Sequence, residues 1–379
     1  ILNLLVRAGA GFDIVSGGEL FRVLAAGGDP AKCTFAGVGK SADEIEYALE
    51  RGVHSFNVES EAELETIERI ASAKNMRAPI ALRVNPDVDP HTHKYISTGS
   101  QENKFGIALN QVRAVYERAA RMSNIEIVGV QMHIGSQITE AKPFASAIEK
   151  VASLVRELKS KYAIQFFSIG GGMGIIYRRA LESGTGKWWR DHGPAGAGSA
   201  FSVRDYAEAI VPSLRDLDIR ILVEPGRFLI GNAGVLLTRV RYIKQTGSRK
   251  FAIVDAGMND LIRPALYQSY HEIVPCSASV SDADPSTSMS PSKSLEKIDI
   301  VGPVCESGDF FALDREMPEL REGDLLAIMS TGAYGFVMAS NYNSRPLPAE
   351  ALVRGDKFAL IRKRQKWDDL LREEVDAVW

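Results

Sequence analysis

Three short strings, His133-Ile134-Gly135-Ser136-Gln137, Gly170-Gly171-Gly172-Met173-Gly174 and Glu224-Pro225-Gly226-Arg227, stand at the ends of separate apolar runs. Glycines without side chains let backbone N–H groups come close to a phosphate. Glu224, Gly226 and Arg227 put a carboxylate, a glycine and a guanidinium within four residues, a set able to hold a cationic ring nitrogen and a phosphate at once. His133 and Ser136 add an imidazole and a hydroxyl. Each string also has a plain structural reading: a tight strand-to-helix turn for the glycines, an ordinary salt bridge for Glu224 with Arg227, a satisfied core histidine for His133. Their conjunction at neighbouring strand ends points instead to one shared phosphate and ring pocket.

Strand tips converge on one face in a parallel barrel, where the strand C-termini gather. Strand-forming runs occur at 11–15, 33–36, 55–58, 80–84, 127–133, 166–169 and 219–223, with helical patterns between them. Ser41 with Glu44, and Ser60 with Glu63, have capping-box spacing and open two amphipathic helices. This alternation predicts an α/β fold, a (β/α)8 TIM-type barrel lacking its first strand in this chain. Residues 2–8 read as the tail of a helix that follows a strand, and the chain starts at Ile1 rather than Met, so the first strand is expected upstream of Ile1. After Asn232 the pattern changes to strands at 235–243, 250–254, 298–301, 325–328 and 357–361, which predicts a mainly β C-terminal domain. The expected division is 1–233 for the barrel and 234–379 for the β domain. Segments 184–199, with Trp188 and Trp189, and 277–294 read as surface insertions or loops.

The chain has 379 residues, 45% hydrophobic and 25% charged, enough for two cores. Its 45 basic and 48 acidic side chains give a net charge of -3, which argues against a nucleic-acid or acidic-membrane partner and for a small molecule or another subunit. Three scattered cysteines, Cys33, Cys276 and Cys305, build neither a disulfide framework nor a zinc site, and a reducing cytoplasm is expected. His91 and His93 lack a nearby third ligand, so no metal is expected.

With these strings, the segment from Val254 to Tyr267 (VDAGMNDLIRPALY), Cys305-Glu306-Ser307-Gly308-Asp309 and Ala333-Tyr334-Gly335 complete a pattern that resembles the diaminopimelate decarboxylase family. These are pyridoxal-phosphate enzymes grouped with the ornithine and arginine decarboxylases, with an alanine-racemase-like barrel and a β domain. The resemblance runs from Ile1 to the C-terminus, interrupted by the two insertions. It implies pyridoxal 5'-phosphate as cofactor, meso-2,6-diaminopimelate as substrate, L-lysine as product and a homodimer sharing active sites across its interface. It implies that His133 stacks on the cofactor ring and that Glu224 faces the pyridine nitrogen. By the same resemblance, Ser136, Gly170, Gly171, Gly172, Gly226, Arg227 and Tyr334 are expected to hold the phosphate end. It further implies that Asp13 and Arg83 touch the cofactor or its linkage, that Lys104 matches an interface position, and that Cys305 is the proton donor supplied to the partner subunit.

Diaminopimelate carries a carboxylate and an amine at its far end. By the same resemblance Arg227, Arg263, Tyr267 and Tyr334 bind substrate and Glu306 takes the remote ammonium. The planar fork of an arginine suits a carboxylate, while an ornithine pocket has no use for it. The lysine that forms a Schiff base with the cofactor in this family lies upstream of Ile1, and Lys40 and Lys104 belong to other elements, so this chain alone is expected to be inactive. The alternatives are a related ornithine, arginine or carboxynorspermidine decarboxylase, or a non-catalytic regulatory homologue.

Overall fold

The structure is a computed structural model that describes residues 1–88, 104–183, 202–276 and 295–377. The segments 184–199 and 277–294, and His91 and His93, lie outside the described residues. The chain divides into two compact units, Ile1–Gly174 with Ala200–Gly226, and Ile175–Ser199 with Arg227–Trp379.

The first unit is built on a curled parallel sheet of β1 (Phe12–Ile14), β2 (Cys33–Phe35), β3 (Ser55–Val58), β4 (Ala78–Asn85), β5 (Ile107–Ala108), β6 (Ile125–Met132), β7 (Phe166–Ser168) and β8 (Arg220–Leu222). The strand order is β1-β2-β3-β4-β6-β7-β8, with β5 alongside β4, and every pairing is parallel. All seven expected strands are present, and the eighth, β5, is too short to leave a hydrophobic pattern. Helices α1 (Leu2–Arg7), α2 (Gly17–Ala25), α3 (Ala42–Arg51), α4 (Glu61–Ala73), α5 (Val112–Ala119), α6 (Lys142–Tyr162) and α7 (Val203–Arg215) belong to the same unit. Every residue of β2 and β3 is buried, as expected for parallel strands covered on both faces.

The caps tie the helices to the strand ends. Ser41 and Glu44 form the expected capping box, and Glu44 Oε1 also accepts the Gly17 N–H at 2.8 Å, joining the start of α3 to that of α2. Ser60 Oγ accepts the Glu63 N–H at 3.2 Å, but the Glu63 carboxylate does not return to Ser60. It takes the Glu59 N–H at 2.7 Å and the Lys40 ammonium at 2.5 Å instead. The Lys40 side chain is fully buried, and a buried cation needs an acid more than a helix end needs a second cap.

One irregularity sets the faces of β4 and β6. Ile80 lies opposite Ile127 while Ala81 lies opposite Gly129, so β6 carries Val128 as an extra, bulged residue. The ring of Phe166 fills the space against Gly129, where a Cβ would stand 2.6 Å from it. The hydroxyl of Tyr116, from α5, closes the gap by donating to the Gly129 carbonyl at 2.7 Å and accepting the Leu82 N–H at 3.2 Å. Past the bulge, Arg83 pairs with Gln131, so the extra residue decides which face carries Gln131.

The second unit holds β9 (Leu236–Thr246), β10 (Arg249–Val254), β11 (Ile273–Pro275), β12 (Leu295–Val301), β13 (Phe310–Pro318) and β14 (Leu325–Ile328) in the order β11-β14-β9-β10-β12-β13, and a hairpin of β15 (Glu350–Arg354) with β16 (Lys357–Arg362). Its core gathers Val240, Val254, Ile298, Ile300, Phe311, Met317, Leu326 and Ile328. The five expected strands are found, so the fold is the predicted one, a barrel-like parallel sheet followed by a mainly β part. Strand β13 escapes a sequence reading because Asp314-Arg315-Glu316 interrupts its apolar residues, and Asp314 sits at φ 47°, where the pairing with β12 is irregular. Strand β11 is three residues long and ends on Pro275. Among the described residues no helix is long and apolar enough to cross a membrane.

Tyr116→Phe removes the hydroxyl that pairs two buried backbone groups and should cost about 1 to 3 kcal/mol of stability. Urea unfolding would show it as a lower midpoint at unchanged slope. A midpoint equal to that of the unsubstituted protein would contradict this role.

Candidate active site

The three strand tips of the first unit touch one another backbone to backbone. A Cβ on Gly170 would collide with the Met132 carbonyl, one on Gly171 with the Glu224 carbonyl, and one on Gly172 with the Gly135 carbonyl. Gly170 and Gly172 also have positive φ, 75° and 104°. The glycine run is therefore required by the closeness of the neighbouring tips, quite apart from any ligand. The Glu224 N–H donates to the Gly170 carbonyl at 2.9 Å, and Ile138 N–H to the Gly172 carbonyl at 2.9 Å, so each tip is pinned to the next. Ser136 is half-buried and follows Gly135 directly. Gly226 N–H donates to the Glu224 carbonyl at 2.9 Å, and a Cβ there would meet nothing within 4 Å.

Glu224 stands at the centre of this unit's site. Ser168 Oγ donates to Oε1 at 2.6 Å, and Gln131 Nε2 lies 3.3 Å from Oε2. Among the described residues it forms no ion pair. Loss of hydration raises its pKa above the usual carboxylate range, against the opposing pull of Ser168, Gln131 and Arg83. Asp13 reaches solvent, yet protein surrounds its carboxyl. Lost hydration and then the Glu224 charge raise its pKa well above the ordinary value, while the Thr34 hydroxyl, donating at 2.9 Å, lowers it. A cation placed beside these two acids, such as a protonated ring nitrogen, would favour their ionised forms.

Arg83, at the end of β4, is buried and paired with Glu59 at 2.8 Å. Glu59, at the end of β3, also accepts the Gly37 N–H at 3.1 Å and the Gly106 N–H at 3.0 Å, so one carboxylate fixes the ends of β2, β3 and β4. The Arg83 guanidinium lies 4.8 Å from the Phe105 ring centre, and Lys104 Nζ lies 5.2 Å from the same ring.

The second unit supplies a different chemistry. Arg227 is buried, donates from Nη1 to the Tyr177 hydroxyl at 2.6 Å and lies 4.7 Å from the Tyr334 ring centre. Arg263 is buried as well, 5.4 Å from the Tyr177 ring and 5.6 Å from the Tyr267 ring. Its Nη2 donates to Ser269 Oγ at 3.3 Å, its Nε has no partner, and among the described residues it forms no ion pair. A buried guanidinium without an acid is an anion receptor. Cys305 and Glu306 lie exposed on a turn of the same unit. Asp309 holds that turn by accepting the Val304 and Met258 N–H groups at 2.6 Å each, while Asn343 Oδ1 accepts the Cys305 N–H at 3.2 Å and Glu306 accepts the Tyr342 hydroxyl at 2.8 Å.

The structure thus brings Asp13, Arg83, His133, Ser136, Gly170, Gly171, Gly172, Glu224 and Gly226 into the first unit, and Arg227, Arg263, Tyr267, Tyr334, Cys305 and Glu306 into the second. A sequence reading misses Gln131, Ser168, Glu59 and Tyr177. Gln131 and Ser168 were findable, each lying two residues before a site residue on a strand whose alternate side chains share a face. Glu59 directly follows β3, the same position relative to its strand that marks the others. No sequence signal singles out Tyr177.

His133 is half-buried, and its Nδ1 accepts the Gly171 N–H at 3.2 Å, so the ring proton sits on Nε2. Burial, and then Arg83, pull its pKa from 6.5 to about 3. It is therefore neutral and able to lie against a cationic ring without repulsion. The unfolded chain takes up this proton near pH 6.5 and the folded one near 3, so this group makes the fold less stable as pH falls through that window. In a histidine NMR titration the His133 resonance should stay at its neutral position from about pH 7.5 to about pH 5. A midpoint near 6.5 would contradict this account of the ring.

Comparison with known proteins agrees with this chemistry. The family model for the pyridoxal binding domain of pyridoxal-dependent decarboxylases matches residues 1–231. The chain is 50% identical over 375 residues to diaminopimelate decarboxylase of Pseudomonas aeruginosa, covering 99% of this chain and 83% of that protein. It is 44% identical over 379 residues to the diaminopimelate decarboxylase of Aquifex aeolicus, with 99% and 83% covered. The crystal structure of diaminopimelate decarboxylase from Helicobacter pylori complexed with L-lysine superposes with a TM-score of 0.87 at 40% identity, over 98% of this chain and 86% of that one. Within the first unit, Glu224 with its hydroxyl and amide donors and the neutral His133 are compatible with the ring of pyridoxal phosphate. The chain belongs to the pyridoxal-phosphate-dependent decarboxylases, within the diaminopimelate decarboxylase family.

Proposed function

We propose that this protein decarboxylates meso-2,6-diaminopimelate to L-lysine, the last step of lysine biosynthesis. The observation that carries the choice of substrate is Arg263, buried beside Tyr267 with no acid paired to it among the described residues. A diamine substrate offers no anion to such a group once its single carboxylate has left, whereas diaminopimelate keeps a second one.

Pyridoxal phosphate, when bound, supplies an electron sink for the pair left as carbon dioxide departs. The residues of the chain do the rest. Glu224 would keep a proton on the ring nitrogen, which would make the ring a better acceptor of electrons. Neutral His133 packs on the ring face, and Asp13 and Arg83 set the charge around it. Ser136, Gly172, Gly226, Arg227 and Tyr334 hold the phosphate, with Gly170 and Gly171 shaping the turn. Arg227, Arg263, Tyr267 and Tyr334 bind the remote carboxylate. Residues 1–233 serve as the cofactor domain, and 234–379 supply substrate and interface residues. Cys305 and Glu306 serve the other copy in a homodimer, the thiol returning a proton to carbon and the carboxylate reading the remote ammonium. Their exposure on a turn braced by Asp309, Asn343 and Tyr342 supports that role. The setting is the cytoplasm.

The 379-residue chain by itself is proposed not to turn over. Lys40, buried in the first unit, is held by the Gly37 and Asn57 carbonyls and by Glu63 at 2.8, 2.9 and 2.5 Å, and is not available to form a bond with an aldehyde.

The test is an assay of the complete gene product loaded with pyridoxal phosphate. Carbon dioxide and L-lysine should appear in equal amounts from meso-diaminopimelate, with ornithine and arginine left intact, and the 379-residue chain should release none. Arg263→Ala should lower kcat/KM for diaminopimelate about a hundredfold or more while cofactor absorbance is unchanged. Undiminished turnover by that variant, or preference for ornithine, would refute the assignment.

A further inference from the structure

We infer that Tyr177, which lies outside every motif of the sequence that points to the site, positions Arg227 and Arg263 as one receptor for the carboxylate that survives the reaction. The inference rests on the proposed substrate role of those two arginines and adds the residue that holds them.

Tyr177 holds each arginine by a different part of its side chain. Its hydroxyl accepts from Arg227 Nη1 at 2.6 Å, and its ring lies 5.4 Å from the Arg263 guanidinium. The two cations repel each other, and this repulsion adds to burial in lowering the Arg263 pKa, which the nearby tyrosines partly offset. With no acid paired to Arg263 among the described residues, electron-rich rings take the place of a counter-ion. Such an arrangement leaves the charge available to an incoming carboxylate.

Tyr177 is itself fixed. The ring of His271 meets it edge-on, with centres 5.1 Å apart and planes at 81°. His271 is fully buried, with Nδ1 2.8 Å from the Met329 carbonyl, and its own carbonyl accepts from Arg315 at 3.0 Å. Burial brings the His271 pKa down to about 4, against the opposing pull of the Met329 carbonyl, so at neutral pH it adds no further positive charge. Among the described residues, Tyr177 touches two guanidiniums and a neutral imidazole, a setting suited to an anion rather than an amine.

The reaction removes one carboxylate from diaminopimelate, and L-lysine keeps the other. Binding of the product therefore reads the receptor without the decarboxylation step, and cadaverine, which has the same amines and no carboxylate, serves as the control for everything but that carboxylate. Using calorimetry on the complete gene product loaded with pyridoxal phosphate, Tyr177→Phe should weaken L-lysine binding about tenfold, the loss of a hydrogen bond to a charged group. Tyr177→Leu should weaken it about threefold more, because the ring beneath Arg263 is lost too. Cadaverine affinity should stay within about twofold, and KM for diaminopimelate should rise in step with kcat little changed. If both Tyr177 variants bind L-lysine like the unsubstituted protein while Arg263→Ala does not, the role of Tyr177 is overturned and the substrate assignment stands. If Arg263→Ala also binds L-lysine normally, the carboxylate receptor itself falls. Equal losses for L-lysine and cadaverine would show general damage and overturn the inference as well.

Discussion

Three strand ends can share one site here because Gly170, Gly171 and Gly172 carry no side chains. Each would place a Cβ into the backbone of a neighbouring tip, at Met132, Glu224 and Gly135. That contact brings His133 within hydrogen-bond distance of Gly171 and hangs the Glu224 amide on the Gly170 carbonyl. The positions of His133, Ser136 and Glu224 all follow from it. The neighbouring strand ends of β2, β3 and β4 use charge rather than close approach, with Glu59 gathering Arg83, Gly37 and Gly106.

Among the described residues, Glu224 of the first unit and Arg263 of the second are enclosed by protein and form no ion pair. In the first, Glu224 and Asp13 have raised pKa values, because burial disfavours their ionised forms and a neighbouring acid adds to it, Glu59 for Glu224 and Glu224 for Asp13. In the second, Arg263 has a lowered pKa for the corresponding reasons. Folding alone does not call for such groups, since a buried charge without a partner is costly. Such groups suit a protein that binds a ring cation and organic anions. The neutral His133 fits the same logic, for a charged imidazole beside Arg83 would be unfavourable both in the fold and against a pyridinium.

Much of this was legible in the sequence, and the reasons differ by residue. The buried parallel strand Ser55–Val58 and the antiparallel strand Leu325–Ile328 read correctly to the residue, because apolar β-formers are bounded there by turn-forming residues. Ser41 and Glu44 announced their capping box through spacing alone. Ser60 and Glu63 had the same spacing and formed half of it, since Lys40, far away in sequence, drew the Glu63 carboxylate to itself. Tyr116 gave no sign of its task, which exists because of a bulge in a strand that α5 covers. Tyr177 was silent likewise: its partners Arg227, Arg263 and His271 come from distant parts of the chain. Sequence patterns reveal which residues carry chemistry, whereas the residues that hold them in place depend on contacts that no local spacing encodes.

The measurement that bears most directly on the account is the affinity of Gly171→Ala for pyridoxal phosphate, titrated by cofactor absorbance. The added methyl group must push the Glu224 backbone away, so binding should weaken at least about tenfold, the cost of losing one charge-assisted hydrogen bond. Affinity equal to that of the unsubstituted protein would show that the strand ends need not touch for the site to form, and the central claim would fail.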